Sequence, residues 1–207
     1  VAGSMTGGEV YNNTTATLGS NGMLINGLKT AVLFGTSSNV NSTGINVAGM
    51  LISGQYTDNP LPHLVSGTLV NVEGTNLGTI NLGDSSAGMY LLNDARGENK
   101  GLISMSNYSV GMYAEGTLSS VKNDNGIINI GQESTGLFLK DGTSVWNAGI
   151  SEINSTSQKA VGIYSERSIP GITTITNDNK IDLSGDQSIG IYTTGASGII
   201  NNGTILI

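Results

Sequence analysis

Apolar residues along this chain alternate with polar ones rather than recurring at three and four. Ile80 and Leu82, Ile103 and Met105, Ile128 and Ile130, Ile181 and Leu183, and Ile205 and Ile207 each stand two apart. That is the period of a strand with one buried face. One pair departs from the pattern, with Ile153 read as keeping the second place and Ser151 taking the first. A polar turn follows each pair, as in Gly83-Asp84-Ser85-Ser86, Ser106-Asn107-Tyr108-Ser109 and Gly131-Gln132-Glu133-Ser134. In the next strand, alternation predicts Ala87, Met89 and Leu91 on one face and Gly88 and Tyr90 on the other. Val110, Met112 and Ala114 repeat that arrangement, as do Val161, Ile163 and Ser165. A third, shorter strand ends at Val121, Val145, Ile175 and Ile199, just before an Asn.

The three strands recur as a unit. Its leading residues are Asn76, Asn99, Asn123, Asn147, Asn177 and Asn201, which are 23, 24, 24, 30 and 24 residues apart. A fixed period of this size marks a solenoid. Three short strands in about 24 residues with no helical stretch predict an all-β parallel β-helix, each coil stacked on the next at about 4.8 Å. Asn-x-Gly suits the corner, because Asn bonds its own backbone two residues on and Gly accepts positive φ. Identical Asn side chains one coil apart can also bond each other as a ladder.

The regular repeats cover residues 76–207, and residues 21–75 carry the same pattern in degenerate form, at Asn21 to Ile25, Gly44 to Val47 and Gly67 to Val70. Within them, residues 53–65 hold Pro60 and Pro62, which cannot donate to a ladder, so this stretch is expected to leave the sheet as a loop. Residues 1–20 form an N-terminal segment in which Ala2-Gly3-Ser4-Met5-Thr6-Gly7-Gly8 resembles an expression tag. Ile205-Leu206-Ile207 has no polar cap after it, which reads as a segment of a longer, truncated array. In the 30-residue unit, the additions are expected at Asn154 to Gln158 and at Glu166 to Thr173. Insertions in repeat proteins project from one face, often the binding face.

Composition narrows the chemistry. Charged residues are 11 % of 207 and the formal charge is −7, so a nucleic-acid partner, which asks for a basic face, is excluded. The 31 glycines, about twice the average usage of ~7 %, serve turns and tight corners. There is no Cys, hence no disulfide or thiolate metal site, which fits a chain exported across membranes. No apolar run reaches the ~18 residues of a spanning helix, so no membrane insertion is expected of this segment. Glycosidases and lyases on β-helices need converging carboxylates. The best matched acids, Asp84 and Glu133, sit two coils or roughly 10 Å apart, and read as solvated turn residues. One His, His63, supports neither a triad nor a zinc site. We therefore expect no enzyme, no cofactor and no metal.

Two features point to binding. Tyr90, Tyr113, Phe138, Tyr164 and Tyr192 form a column of one aromatic per coil, which either stabilises the array by covering the Gly before each ring or offers a stripe for a ligand. Trp146 shares its register with Lys122, Thr176 and Ile200, so it should face outward. The candidate contact residues are Tyr56, Asp58, Asn59 and His63 in the Pro-containing loop, Trp146, and Glu166, Arg167 and Ser168 in the later insertion. Arg96 and Glu98 rank below them.

The phrase N-x-G-x-I-x-I/L-G-x-x-S-x-G-I-Y, best seen at Gly185 to Tyr192 and Asn201 to Ile205, resembles the passenger repeats of bacterial autotransporter adhesins of the large fusobacterial type. The likeness covers 76–207 well and 21–72 loosely. It implies a right-handed β-helix exported to the bacterial cell surface or secreted, monomeric, binding a host protein, a glycan or another bacterium. A stalk without its own ligand, a β-helical polysaccharide-degrading enzyme and a trimeric adhesin are the alternatives.

Overall fold

The computed structural model describes residues 37–52 and 73–207 in full, and of residues 2–4, 8–12, 15–17, 24–26, 30–34 and 53 the backbone alone. The chain winds as a parallel β-helix of three strands per turn. Its first three coils are β1 (Ala2–Ser4), β2 (Gly8–Asn12), β3 (Thr15–Thr17), β4 (Leu24–Asn26), β5 (Thr30–Phe34), β6 (Asn39–Ser42), β7 (Ala48–Ser53), β8 (Glu73–Asn76) and β9 (Thr79–Leu82). The next three are β10 (Ala87–Leu92), β11 (Arg96–Asn99), β12 (Leu102–Met105), β13 (Val110–Glu115), β14 (Ser120–Asp124), β15 (Ile127–Asn129), β16 (Thr135–Lys140), β17 (Ser144–Ala148) and β18 (Glu152–Ser155). The last two are β19 (Val161–Glu166), β20 (Thr173–Asn177), β21 (Lys180–Leu183), β22 (Ile189–Thr194), β23 (Ser197–Asn201) and β24 (Thr204–Leu206). Every third strand belongs to the same sheet, which makes three eight-stranded parallel sheets beginning at β1, β2 and β3.

Asn76, Asn99, Asn123, Asn147 and Asn177 are buried at successive corners between the second and third sheets, where each amide bonds the next coil. Asn76 Nδ2 donates to Asn99 Oδ1 at 2.8 Å, Asn99 to Asn123 at 2.9 Å, and Asn123 to Asn147 at 3.0 Å. Asn147 continues to Asn177, and Asn177 to Asn201, each at 2.8 Å. The same amides also donate to the corner carbonyls of Gly78, Gly101, Gly126 and Asn179. A buried amide is costly unless satisfied, and here it holds both its own turn and the next coil.

At the opposite corner, between the third and first sheets, Asn46, Ser85, Tyr108, Glu133, Lys159 and Gln187 all take positive φ, between 51 and 61°. The next residue is Ser in most coils. Ser86, Ser109 and Ser134 are buried, and their Oγ atoms accept from the preceding coil's Val47, Ser86 and Ser109 amides.

The core lies between the sheets. Ile80, Ile103, Ile128, Ile153 and Ile181 fill it from the third sheet, and Met89, Met112, Leu137 and Ile163 from the first. Strict alternation fails at the start of the first-sheet strands β7, β10, β13, β16 and β19. Gly88 and Met89 are both buried while Ala87 is half-exposed, and the pairing steps from Ala87–Val110 to Met89–Met112. The glycine faces inward: a Cβ on Gly88 would stand 2.7 Å from Ile103 Cγ2 and 2.5 Å from Gly111 O. Gly111, Gly136 and Gly162 repeat this against Ile128, Ile153 and Ile181. Gly88 therefore does not share a face with Tyr90, and the aromatic column does not cover the glycines. They are required because isoleucine and backbone fill the space.

The irregular coil also differs from its expected alignment. Ile153 pairs with Ile128 and Ile181, so it holds the first place, and Ser155 holds the second opposite Leu183. Ser151 is a buried corner residue whose Oγ donates to the Asn123 and Ala148 carbonyls. From Asn147 the legs to Ile153, Val161 and Asn177 are 6, 8 and 16 residues, against 4, 7 and 12 from Asn76 through Ile80 and Ala87 to Asn99. Most of the excess falls at residues 167–172, two residues lengthen the Gly149 corner, and only one lies in the stretch containing Asn154 to Gln158.

Candidate binding surface

Tyr56, Asp58, Asn59 and His63 lie outside the described residues, in the connection between β7 and β8. That connection is long: Ala31 pairs with Glu73, 42 residues on, whereas Glu73 pairs with Arg96, 23 residues on.

Trp146 sits on the outer face of the second sheet in the column Glu98–Lys122–Trp146–Thr176–Ile200, and is 41 % exposed. Its neighbours hold it in place. Nε1 donates to Asp178 Oδ2 at 2.6 Å, and Lys122 Nζ lies 4.7 Å from the ring centroid, within reach of a cation–π contact. Asp178 also accepts from Asn202 Nδ2 at 2.8 Å. The Asn202 and Trp146 hydrogen bonds hold the Asp178 carboxyl below the usual aspartate range. Lys122 is itself bound, to Asp124 at 2.8 Å and Glu98 at 3.4 Å, and Lys100 joins Glu98 at 2.9 Å. The Asp124 hydrogen bond raises the Lys122 pKa, and the ammonium lowers that of Asp124. Glu98, a lesser candidate by sequence, thus belongs to the Trp146 surface.

Glu166 faces outward beside Lys140 on the first sheet. Arg167 turns back into its own loop. Its guanidinium donates to the carbonyls of Gly142 at 2.6 Å and Pro170 at 2.9 Å, and more weakly to Asp141 O and Thr173 Oγ1. Ser168 closes the same loop, its amide and hydroxyl both donating to Asp141 Oδ1, at 2.7 and 3.0 Å. The Ser168 amide is the main reason that the Asp141 carboxyl sits below its ordinary range. The insertion is a staple between two coils, and Arg167 presents no free cation.

The aromatic column stands on the outer face of the first sheet. Successive ring centroids are 4.8, 5.0, 4.5 and 5.3 Å apart from Tyr90 to Tyr192. Tyr90 and Tyr113 are stacked at 14°, so their faces meet each other and their edges meet solvent. Phe138 meets Tyr113 edge-on at 83° and Tyr164 at 46°, and such packing stabilises the array. Asp84 and Glu133, the matched acids, serve neighbouring coils: Asp84 Oδ1 accepts from the Asn107 amide at 2.9 Å, and Glu133 pairs with Lys159 at 3.1 Å.

The sequence reading did not single out the outer face of the third sheet. Two open grooves run along it, of about 620 Å³ around Asn81 and about 470 Å³ around Asn154. The signal for it lies in the polar residues between the buried Ile and Leu of each pair. Among the described residues no three His, Cys, Asp or Glu side chains cluster to hold a metal, and no helix is long and apolar enough to cross a membrane. No family model, curated protein or solved structure matches the chain.

Proposed function

We propose that this chain is part of a bacterial surface adhesin: a non-catalytic β-helical rod that binds a host protein or glycan, or another bacterium, through features on its flanks. The observation that supports this best is Trp146. An exposed indole already fixed by Asp178 and Lys122 gives up little entropy on binding, and aromatic anchors of this kind dominate recognition surfaces. The rod acts as a monomer and carries its contact features away from the cell surface, with the ladders along its length keeping it stiff. The long connection that holds Tyr56 to His63 is the second contact feature. Glu166 adds a carboxylate on a different face.

The test is binding of the chain to a glycan array and to a panel of host-receptor ectodomains, beside Trp146→Ala and a variant with Tyr56 to His63 shortened. Specific binding that either change weakens at least tenfold supports the adhesive reading. Silence of the folded chain on both panels would leave a stalk. That second reading is favoured by Arg167, whose loop is bonded to its own rod.

A further inference from the structure

We propose that the outer face of the third sheet is a second binding site, for an unbranched, uncharged polysaccharide lying along the β-helix axis. The face is a column, Asn41–Asn81–Ser104–Asn129–Asn154–Asp182, one polar side chain per coil at about 4.8 Å. The two grooves lie in line on it, the first floored by Asn41, Asn81 and Ser104 and the second by Asn129, Asn154 and Asp182.

Three features define the ligand. The column leaves hydrogen-bonding capacity unmet where the buried ladder amides, Asn76 to Asn177, bond through both atoms. Asn81 donates to Asn41 at 2.8 Å and Asn154 to Asn129 at 3.4 Å, but the run breaks at Ser104. Among the described residues, Asn81 Oδ1, Ser104 Oγ and Asn129 Nδ2 have no protein partner, on three successive coils. They present acceptor, hydroxyl and donor in sequence, which suits a ligand that carries both donors and acceptors at every step, as a chain of hydroxyl-bearing rings does. The face is also acidic: Asp84 borders the first groove, and Glu152 and Asp182 line the second, where the one cation, Lys180, is paired with Asp182 at 2.8 Å. That charge rejects polyanions such as sulfated glycans.

The third feature is Tyr108. It lies two residues beyond groove-lining Ser106, at the corner position of positive φ, where the other described coils place Asn, Ser, Glu, Lys and Gln. A bulky ring is disfavoured there, yet Tyr108 has φ 55° and is 56 % exposed. Unlike the rings of the first sheet it stacks on no other aromatic side chain among the described residues. Its ring is exposed at the corner that follows groove-lining Ser106, and exposed Ile45 adds an apolar wall to the groove itself.

This inference extends the adhesive reading to another face and names the ligand's class. Because Trp146 lies on the second sheet, the two can fail separately. The test is calorimetric titration of the whole chain with cellohexaose, chitohexaose, β-1,4-mannohexaose and laminarihexaose, with heparin as the polyanion. Tyr108→Asn removes the ring while keeping a residue that tolerates positive φ, and Asn129→Leu blocks the floor. Circular dichroism and urea unfolding establish that both variants are folded. At least one neutral hexaose is expected to bind, with affinity reduced on the order of tenfold by Tyr108→Asn and by Asn129→Leu, and unchanged by Thr174→Ala at an exposed position of the second sheet. Binding of none of the four, equal binding by the groove variants, or tighter binding of heparin would overturn it.

Discussion

Asn147 Nδ2 meets Asn177 Oδ1 at 2.8 Å, no longer than the 3.0 and 2.8 Å rungs on either side, although 30 residues separate the two instead of 24. The coil therefore extrudes its extra residues and leaves the ladder undisturbed. Each inner Asn satisfies a buried neighbour, so removing one orphans polar groups that water cannot reach. Asn147→Ala should lower the unfolding free energy by about 2 kcal/mol. Asn154→Ala, on the outer column, should change it by less than about 0.5 kcal/mol. Urea denaturation of the two variants side by side measures the difference.

The glycines of the first sheet lead to a second prediction. A methyl group at Gly111 would lie 2.6 Å from both Gly136 O and Ile128 Cγ2. One is backbone and the other a β-branched side chain held in the core, so neither can retreat cheaply. Gly111→Ala should cost about 3 kcal/mol. Gly198→Ala, where a Cβ meets nothing within 4 Å, should cost under about 1 kcal/mol. Thermal unfolding of both variants decides it.

These two cases show how far the residues announce the structure. The Asn ladder is legible because one residue type recurs at one place and its chemistry needs a like partner. Gly88 is not, because alternation assigns it to the Tyr90 face, whereas two consecutive residues turn inward there. Nor is the register around Ile153. That coil has a single Ile flanked by Ser151 and Ser155, so apolar spacing alone fits either alignment, and the longer Gly149 corner decides. At the surface, Trp146 is legible because register shows which way it points. Arg167 is not, since a polar insertion gives no sign that its guanidinium will bind carbonyls of the preceding coil. The grooves depend on how successive outer side chains line up, which no single repeat reveals.

Trp146 is the only tryptophan, so its fluorescence reports on one bond. Asp178 has its pKa lowered by Asn202 and Trp146, and a depressed carboxylate keeps its interactions above the unfolded pKa and loses them as pH falls through the folded one. Emission should stay constant from neutral pH down past the ordinary aspartate range near ~4 and shift only below it. Asp178→Asn should abolish the transition. A titration with its midpoint above the ordinary range would contradict the assignment.

The aromatic column and the charges beside it are linked through Tyr113. Its hydroxyl donates to Glu115 Oε2 at 2.7 Å, and Lys140 Nζ reaches Glu115 Oε1 at 3.0 Å. The Tyr113 hydrogen bond is the largest cause of the low Glu115 pKa, with the Lys140 bond next, while burial foremost drives the Tyr113 phenol well above its ordinary value. Tyr113→Phe removes the donor and keeps the ring in its stack. The Glu115 carboxyl should then titrate closer to the ordinary glutamate range, and Lys140→Met should move it in the same direction by a smaller step. Carbon-detected NMR titration of the Glu115 side chain reads both. A larger effect from Lys140→Met would mean that the ammonium, rather than the phenol, governs this carboxylate.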